Sequence, residues 1–298
     1  MRSDVSFQSG GLTCRGWLYR PSAGGAATAP AIVMSHGFSA VKEQGLDGFA
    51  RGFCAAGFVV LAFDHRFLGA SDGEPRGRII PQIQHDDSRA AIDWISRQDG
   101  VDANRIGIWG SSYSGGHALF LGALDPRIKV VVAQVPAIGG ARSMLAMGGR
   151  EGLDGFLAML AADHAARNTG APPMQIPIVA PDGQPSVLST PDSWAWFVSS
   201  GARDAPNWVN ATGLESVARL VEYIPAAFID LIAPKPLLMQ AATHDSLIPI
   251  DQVREAFAQA GEPKRLVEYD GGHFDLYPGS PRHEAALADA TGWFVAHL

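Results

Sequence analysis

RIGIWGSSYSGGHALF, residues 105–120, decides the fold of this chain. It opens as a short apolar strand, passes through a run at 110–116 whose residues are small except Tyr113, and continues as a helix. A nucleophile on a sharp strand-to-helix turn needs small residues two before and two after it, because the strained backbone brings them against the nucleophile's own Cβ. Gly110, Ser112 and Ser114 meet that rule. A rival register, Ser112, Ser114 and Gly116, also has small flanks. The strand reads as ending at Trp109-Gly110, which puts Ser112 at the apex and Ser114 in the first helical turn. Ser112 is therefore the expected nucleophile. A Ser/Gly-rich helix cap without chemistry would account for the small residues but not for their place after a buried strand.

Outward from this stretch the pattern repeats. Compact apolar runs occur at 31–36, 58–64, 128–135, 236–243 and 265–269, apolar on both faces as buried parallel strands require. Helical patterns lie between them at 45–57, 83–98, 114–124, 251–260 and 282–298. Residues 5–20 alternate around Gly10-Gly11 and read as an antiparallel hairpin. The fold class is α/β, a mostly parallel central sheet with helices on both faces. The alternation breaks once. Residues 1–136 and 234–298 read as the core domain, and 137–233 as an inserted helical cap, with helical spacing at Leu153, Phe156, Leu157 and Leu160.

A serine hydroxyl needs a base, and the base needs an orienting carboxylate. Of nine histidines, His273 follows the last strand in a Gly-flanked loop, whereas His85, His117, His164, His283 and His297 sit in helical patterns. Asp245 follows the strand at 236–243 and is the expected acid, Asp251 being the better N-cap for the helix behind it. The backbone N–H groups of Tyr113 and Phe38 are the expected oxyanion donors. His36 reads as a loop-holding residue, and Asp64, Arg66, Gly69 and Ser71 as fixing another loop at the same edge. His85, Asp86 and Asp87 point in different directions on a helix, so no metal is expected, nor any cofactor, since the glycines of 107–116 do not form a dinucleotide fingerprint.

The composition is that of a globular protein: 298 residues, 47% hydrophobic, net charge -7. That acidity argues against nucleic-acid binding. Neither a signal peptide nor a membrane span is legible, and Cys14 and Cys54 read as buried thiols, so a cytoplasmic location is expected. The sequence is silent on oligomeric state, and a homodimer is compatible with it.

HGF at 36–38, DHRFLGASDG at 64–73, GSSYSGG at 110–116, HDSLIP at 244–249 and GGH at 271–273 resemble the α/β-hydrolase superfamily. Within it the likeness is to serine hydrolases related to dienelactone hydrolases and X-Pro dipeptidyl-peptidase-type esterases, in a subgroup similar to the polyketide transferases. The resemblance implies the α/β-hydrolase fold and the triad order Ser112, Asp245, His273. True dienelactone hydrolases carry a cysteine nucleophile, so their substrate does not transfer. Hydrolysis of an ester or thioester through an acyl-enzyme is the leading expectation, with acyl transfer to an alcohol or amine second and peptidase or amidase action a further alternative. The expected partner is an apolar small-molecule acyl substrate. Met144, Met147, Trp194, Trp196, Phe197 and Trp208 are candidates for its pocket, or for the cap's own core.

Overall fold

The computed structural model describes residues 1–22 and 28–298, without the side chain of Met147. The amino-terminal hairpin pairs β1 (Arg2–Ser9) with β2 (Leu12–Tyr19) through Gly10-Gly11, both at positive φ, as a two-residue turn between twisted strands requires. Chain order then runs β3 (Ala29–Ser35), α1 (Leu46–Ala55), β4 (Val59–Phe63), α2 (Pro81–Ile95), β5 (Val101–Ser111), α3 (Tyr113–Leu124) and β6 (Ile128–Gln134). After residues 137–233, the segment the sequence reads as an insertion, come β9 (Leu237–Ala242), α7 (Ile250–Gln259), β10 (Lys264–Tyr269) and α8 (His283–His297). The eight strands lie in the order β1-β2-β4-β3-β5-β6-β9-β10. β2 runs antiparallel to both β1 and β4, and the strands from β4 to β10 are parallel.

Strand geometry sends alternate side chains to opposite faces. Ala31, Val33, Leu61, Phe63, Ile108 and Val131 pack on one side with Ile92 and Leu119 of α2 and α3. Ile32, Met34, Val60, Trp109 and Val132 pack on the other with Phe49 and Phe53 of α1 and Phe294 of α8. Two hydrophobic layers are thus built from apolar runs that show no period of two, because both faces are covered.

The strand order reverses beside β3, which has β4 on one side and β5 on the other. Connections leave the carboxyl ends of β3 and β5 in opposite directions there and open a crevice, the usual place for a ligand in such a sheet. Ser35 lies opposite Gly110 in the register, so the loop after β3 and the turn after β5 emerge side by side.

Several elements differ from the sequence-based expectation. β5 runs to Ser111, one residue beyond the expected end, and Asp251 lies inside the first turn of α7 while Pro249 takes the cap position. Asp251 is bonded to Arg254 instead of capping the helix. Between β6 and β9 stand α4 (Gly140–Asn168), β7 (Gln175–Ile176), α5 (Pro191–Asp204), β8 (Thr212–Gly213) and α6 (Leu214–Glu222). α4 begins well before the periodic residues 153–160 and breaks at Gly149, whose φ of 64° and ψ of -172° belong to a region only glycine adopts readily. The following 3-10 turn, Pro225–Leu231, adds Ile229, and the next residues add Ile232, to the core under the sheet. Among the described residues no helix is long and apolar enough to cross a membrane.

Candidate active site

Ser112 occupies φ 57°, ψ -118° between β5 and α3, a backbone state that costs a non-glycine residue about 1–3 kcal/mol. Three hydrogen bonds hold it: its N–H donates to the Gln134 carbonyl at 2.9 Å, and its carbonyl accepts from Ala137 at 2.9 Å and Gly116 at 3.2 Å. Small neighbours are compulsory. A Cβ at Gly110 would stand 1.9 Å from the Ser114 carbonyl oxygen, and one at Gly115 would stand 2.8 Å from Pro136 Cα. Ser114, the rival, is buried in the first turn of α3, and its hydroxyl donates to the His36 carbonyl.

His273 opens a 3-10 turn (His273–Leu276) after β10, and Gly272 N–H donates to Asp275 at 2.8 Å to cap that turn. The loops after β9 and β10 are stitched together by Thr243 N–H to the Tyr269 carbonyl and His244 N–H to the Gly271 carbonyl, both 2.9 Å. This brings Asp245 Oδ2 to 2.7 Å from His273 Nδ1, with the two side chains only 2% and 1% exposed. A carboxylate can only accept, so Nδ1 carries a proton, and in the neutral ring the lone pair is on Nε2. Ser112 and His273 line the same narrow crevice.

Of the remaining histidines, His36 also borders this crevice and the others lie elsewhere. His36, His65, His85 and His117 form a buried row, with neighbouring ring centroids 4.7–5.9 Å apart. Burial, with His65 adding to it, pushes His36 down to about 4; burial pushes His85 down to about 3 and His117 well below its ordinary range. His85 and His117 share the Tyr223 hydroxyl at 3.0 and 2.9 Å. His283 packs edge-on against Phe49, and His164, His244 and His297 are exposed. Asp64, Arg66, Gly69 and Ser71 form a braced loop: Asp64 accepts from the backbone of Lys42 and Ala70 and from Lys42 Nζ, and Ser71 donates to the Asp64 carbonyl. Arg66 pairs with Asp87, which also receives Ser9. Asp86 faces outward toward Arg89. Cys14 and Cys54 are free thiols, with burial pushing both up.

Two spaces meet at Ser112. The larger, about 460 Å³, is lined by Phe38, Tyr113, Ile138, Met144, Phe156, Leu188, Val221 and Leu247, among others, and none of the described residues lining it is charged. The smaller, about 20 Å³, runs between Ser112 and His273 under Trp196, Phe197, Phe274 and Tyr277. Phe38 and Tyr113 line the larger space, and the backbone N–H of neither finds an acceptor among the described residues.

Of the apolar candidates from the insertion, Met144 lines the larger space, and Trp196 and Phe197 roof the smaller one. Trp194 and Trp208 line neither. Trp208 stacks on Phe197 and donates its indole N–H to the Ser39 carbonyl at 3.0 Å, while Trp194 packs into the cluster beneath. Met147 falls outside the described side chains. Sequence reasoning missed Tyr277, whose hydroxyl accepts from Ser111 at 2.8 Å beside Ser112, and whose phenol burial pushes up. Its place four residues after His273 is a local signal for it. It also missed Ser246, next to Asp245, which donates to Asp192 of α5 at about 3 Å. That bond ties the insertion to the acid loop, and no local pattern announces it.

A mainly parallel eight-stranded sheet flanked by helices, with a strained serine at the strand-order reversal, defines an α/β hydrolase. The solved structure of GrgF from Penicillium sp. sh18 has the same fold, with a TM-score of 0.84 and 28% identity, covering 100% of this chain and 99% of that one. Residues 15–212 match the X-Pro dipeptidyl-peptidase (S15) family model, and the chain belongs to that family. The match includes Ser112 and stops before Asp245 and His273. The quorum-quenching protein AidA of Acinetobacter baumannii is 33% identical over 279 residues, 93% of this chain and 89% of that protein. A thiohydrolase of Eupenicillium brefeldianum is 29% identical over 300 residues, 99% and 94% respectively. The Penicillium protein is also described as a polyketide transferase, 30% identical over 276 residues, 92% of this chain and 90% of that protein.

Proposed function

We propose that this hydrolase cleaves a carboxylic ester or thioester through an acyl-enzyme on Ser112, with the insertion acting as a cap over the site. The observation that carries the reading is a strained serine beside two unpaired backbone N–H groups, in a crevice shared with an imidazole whose Nδ1 is held by a carboxylate. Ser112 Oγ attacks the acyl carbonyl carbon while His273 Nε2 takes its proton. The new oxyanion accepts from the Phe38 and Tyr113 N–H groups, donors typically worth about 100- to 1000-fold each. The carbon–oxygen or carbon–sulfur bond then breaks, and the leaving alcohol or thiol takes the proton from His273. Water, deprotonated by the same nitrogen, attacks the acyl-serine; collapse of that adduct frees the acid and returns the proton to Ser112.

Dipeptidyl-peptidase action is disfavoured by charge: a peptide's terminal ammonium calls for a carboxylate, and the larger cavity has none among its described lining residues. The test is fluorophosphonate labelling with mass-spectrometric site mapping, together with hydrolysis of p-nitrophenyl esters and acyl thioesters. An adduct on Ser112 and loss of turnover in Ser112→Ala are expected. Labelling elsewhere, or undiminished turnover in that variant, overturns the reading.

A further inference from the structure

The first of the insertion's helices is unusually rich in glycine. Gly140, Gly148, Gly149, Gly152 and Gly155 all lie within α4, although glycine weakens a helix interior relative to alanine. Two of them have a structural reason. A Cβ at Gly140 would stand 2.1 Å from the Val221 carbonyl oxygen, so α4 and α6 cross closely there. Gly149 makes the break. Gly148 and Gly152 have neither reason: a Cβ on either meets no atom within 4 Å, and neither has positive φ.

Both nonetheless line the cavity of about 460 Å³ that ends at Ser112. Met144 and Phe156 line it as well, one on each side of the break at Gly149, with the two glycines between them in sequence. Large side chains at the two ends and none at the glycines leave a trough. The two spaces meet at Ser112, and Phe38, Leu188 and Leu247 line both. The larger is the one with room for a substrate chain, and the acyl portion is assigned to it. With an uncharged lining, it suits an extended apolar chain and not a charged or peptidic one.

We propose that Gly148 and Gly152 set the length of acyl chain this enzyme admits, and that its substrates carry an apolar acyl chain long enough to lie along the trough between Met144 and Phe156. The proposal rests on the hydrolase reading for its orientation, but the trough itself is testable by binding alone. Each methylene that enters apolar surroundings strengthens binding about fourfold until the space is filled.

The experiment measures kcat/KM for p-nitrophenyl acetate through decanoate in the wild-type chain, Gly148→Leu, Gly152→Leu and Gly155→Leu. In parallel, calorimetry measures binding of the matching free fatty acids. Gly155 is the control, since its Cβ position is equally open but it does not line the cavity. Expected is a ratio of octanoate to acetate ester turnover that falls at least about tenfold in the two trough variants and stays within about twofold in Gly155→Leu. Equal ratios in all four proteins, or a Gly155→Leu shift as large as that of Gly152→Leu, overturn the proposal. If the wild-type chain hydrolyses no ester, the hydrolase reading fails, and the fatty-acid series decides the trough. Affinity that grows with chain length and is curtailed by Gly152→Leu supports it; affinity indifferent to length overturns it.

Discussion

Asp245 divides its carboxylate between two tasks: Oδ2 faces His273 Nδ1 at 2.7 Å, while Oδ1 accepts from the backbone N–H groups of Leu247 and Ile248, both at 2.8 Å. The loop that orients the imidazole is therefore itself pinned by the same side chain. Asp245→Asn should keep the loop, because the amide oxygen still accepts from Leu247 and Ile248. Its NH₂ group would then face His273 and enforce the wrong tautomer. Expected is a fall in kcat of about 10³- to 10⁴-fold with a nearly unchanged melting temperature. A large stability loss with modest kinetic change would mean that the loop, and not the imidazole, is the main task.

Ser112 and Ser114 should separate cleanly. Ser112→Ala is expected to lower ester turnover by at least about a thousandfold while leaving the fold intact. Ser114→Ala deletes the donor to the buried His36 carbonyl and should cost about 1–3 kcal/mol of stability, with turnover far above that of Ser112→Ala. Esterase assays paired with denaturant melts check both.

Acid should unfold this protein through its buried histidines. His36 and His85 are held neutral down to about 4 and about 3, and His117 lower than its ordinary value, whereas each titrates near 6.5 in an unfolded chain. Below about pH 6.5 the unfolded chain binds protons that the folded one refuses. Stability present above that value is thus lost as pH falls toward the folded values, by up to about 1.4 kcal/mol per pH unit for each histidine. Denaturant melts between pH 7 and pH 4.5 should show this slope, and His117→Gln should make it shallower. A flat profile would contradict the packed, neutral row.

The glycines of α4 predict stability changes of opposite sign. Gly140→Ala places a methyl 2.1 Å from the Val221 carbonyl oxygen and should cost about 1–3 kcal/mol by prising α4 from α6. Gly155→Ala meets open space and should gain about 0.5–1 kcal/mol from helix propensity. Thermal melts of the two variants read the difference directly.

Much of the sheet and the positions of Ser112, Asp245 and His273 were legible because their signals are local. A both-faces-apolar run reads as a buried strand, and Gly110 marks a turn whose geometry admits no larger residue. A histidine or aspartate just after such a strand must emerge at the carboxyl edge of the sheet. The walls of the larger cavity were not legible. Gly140 is explained only by a carbonyl some eighty residues away, and Trp208 is drawn out of the cavity by the Ser39 carbonyl and the face of Phe197. Trp196 roofs His273 because it stacks on Phe274, with ring centroids 5.1 Å apart. Sequence by itself determined which residues leave the sheet at one edge, since period, turn sterics and chain order act within a few residues. Only the tertiary structure decided what space those residues face, because a cavity is the shape left over after distant segments have packed.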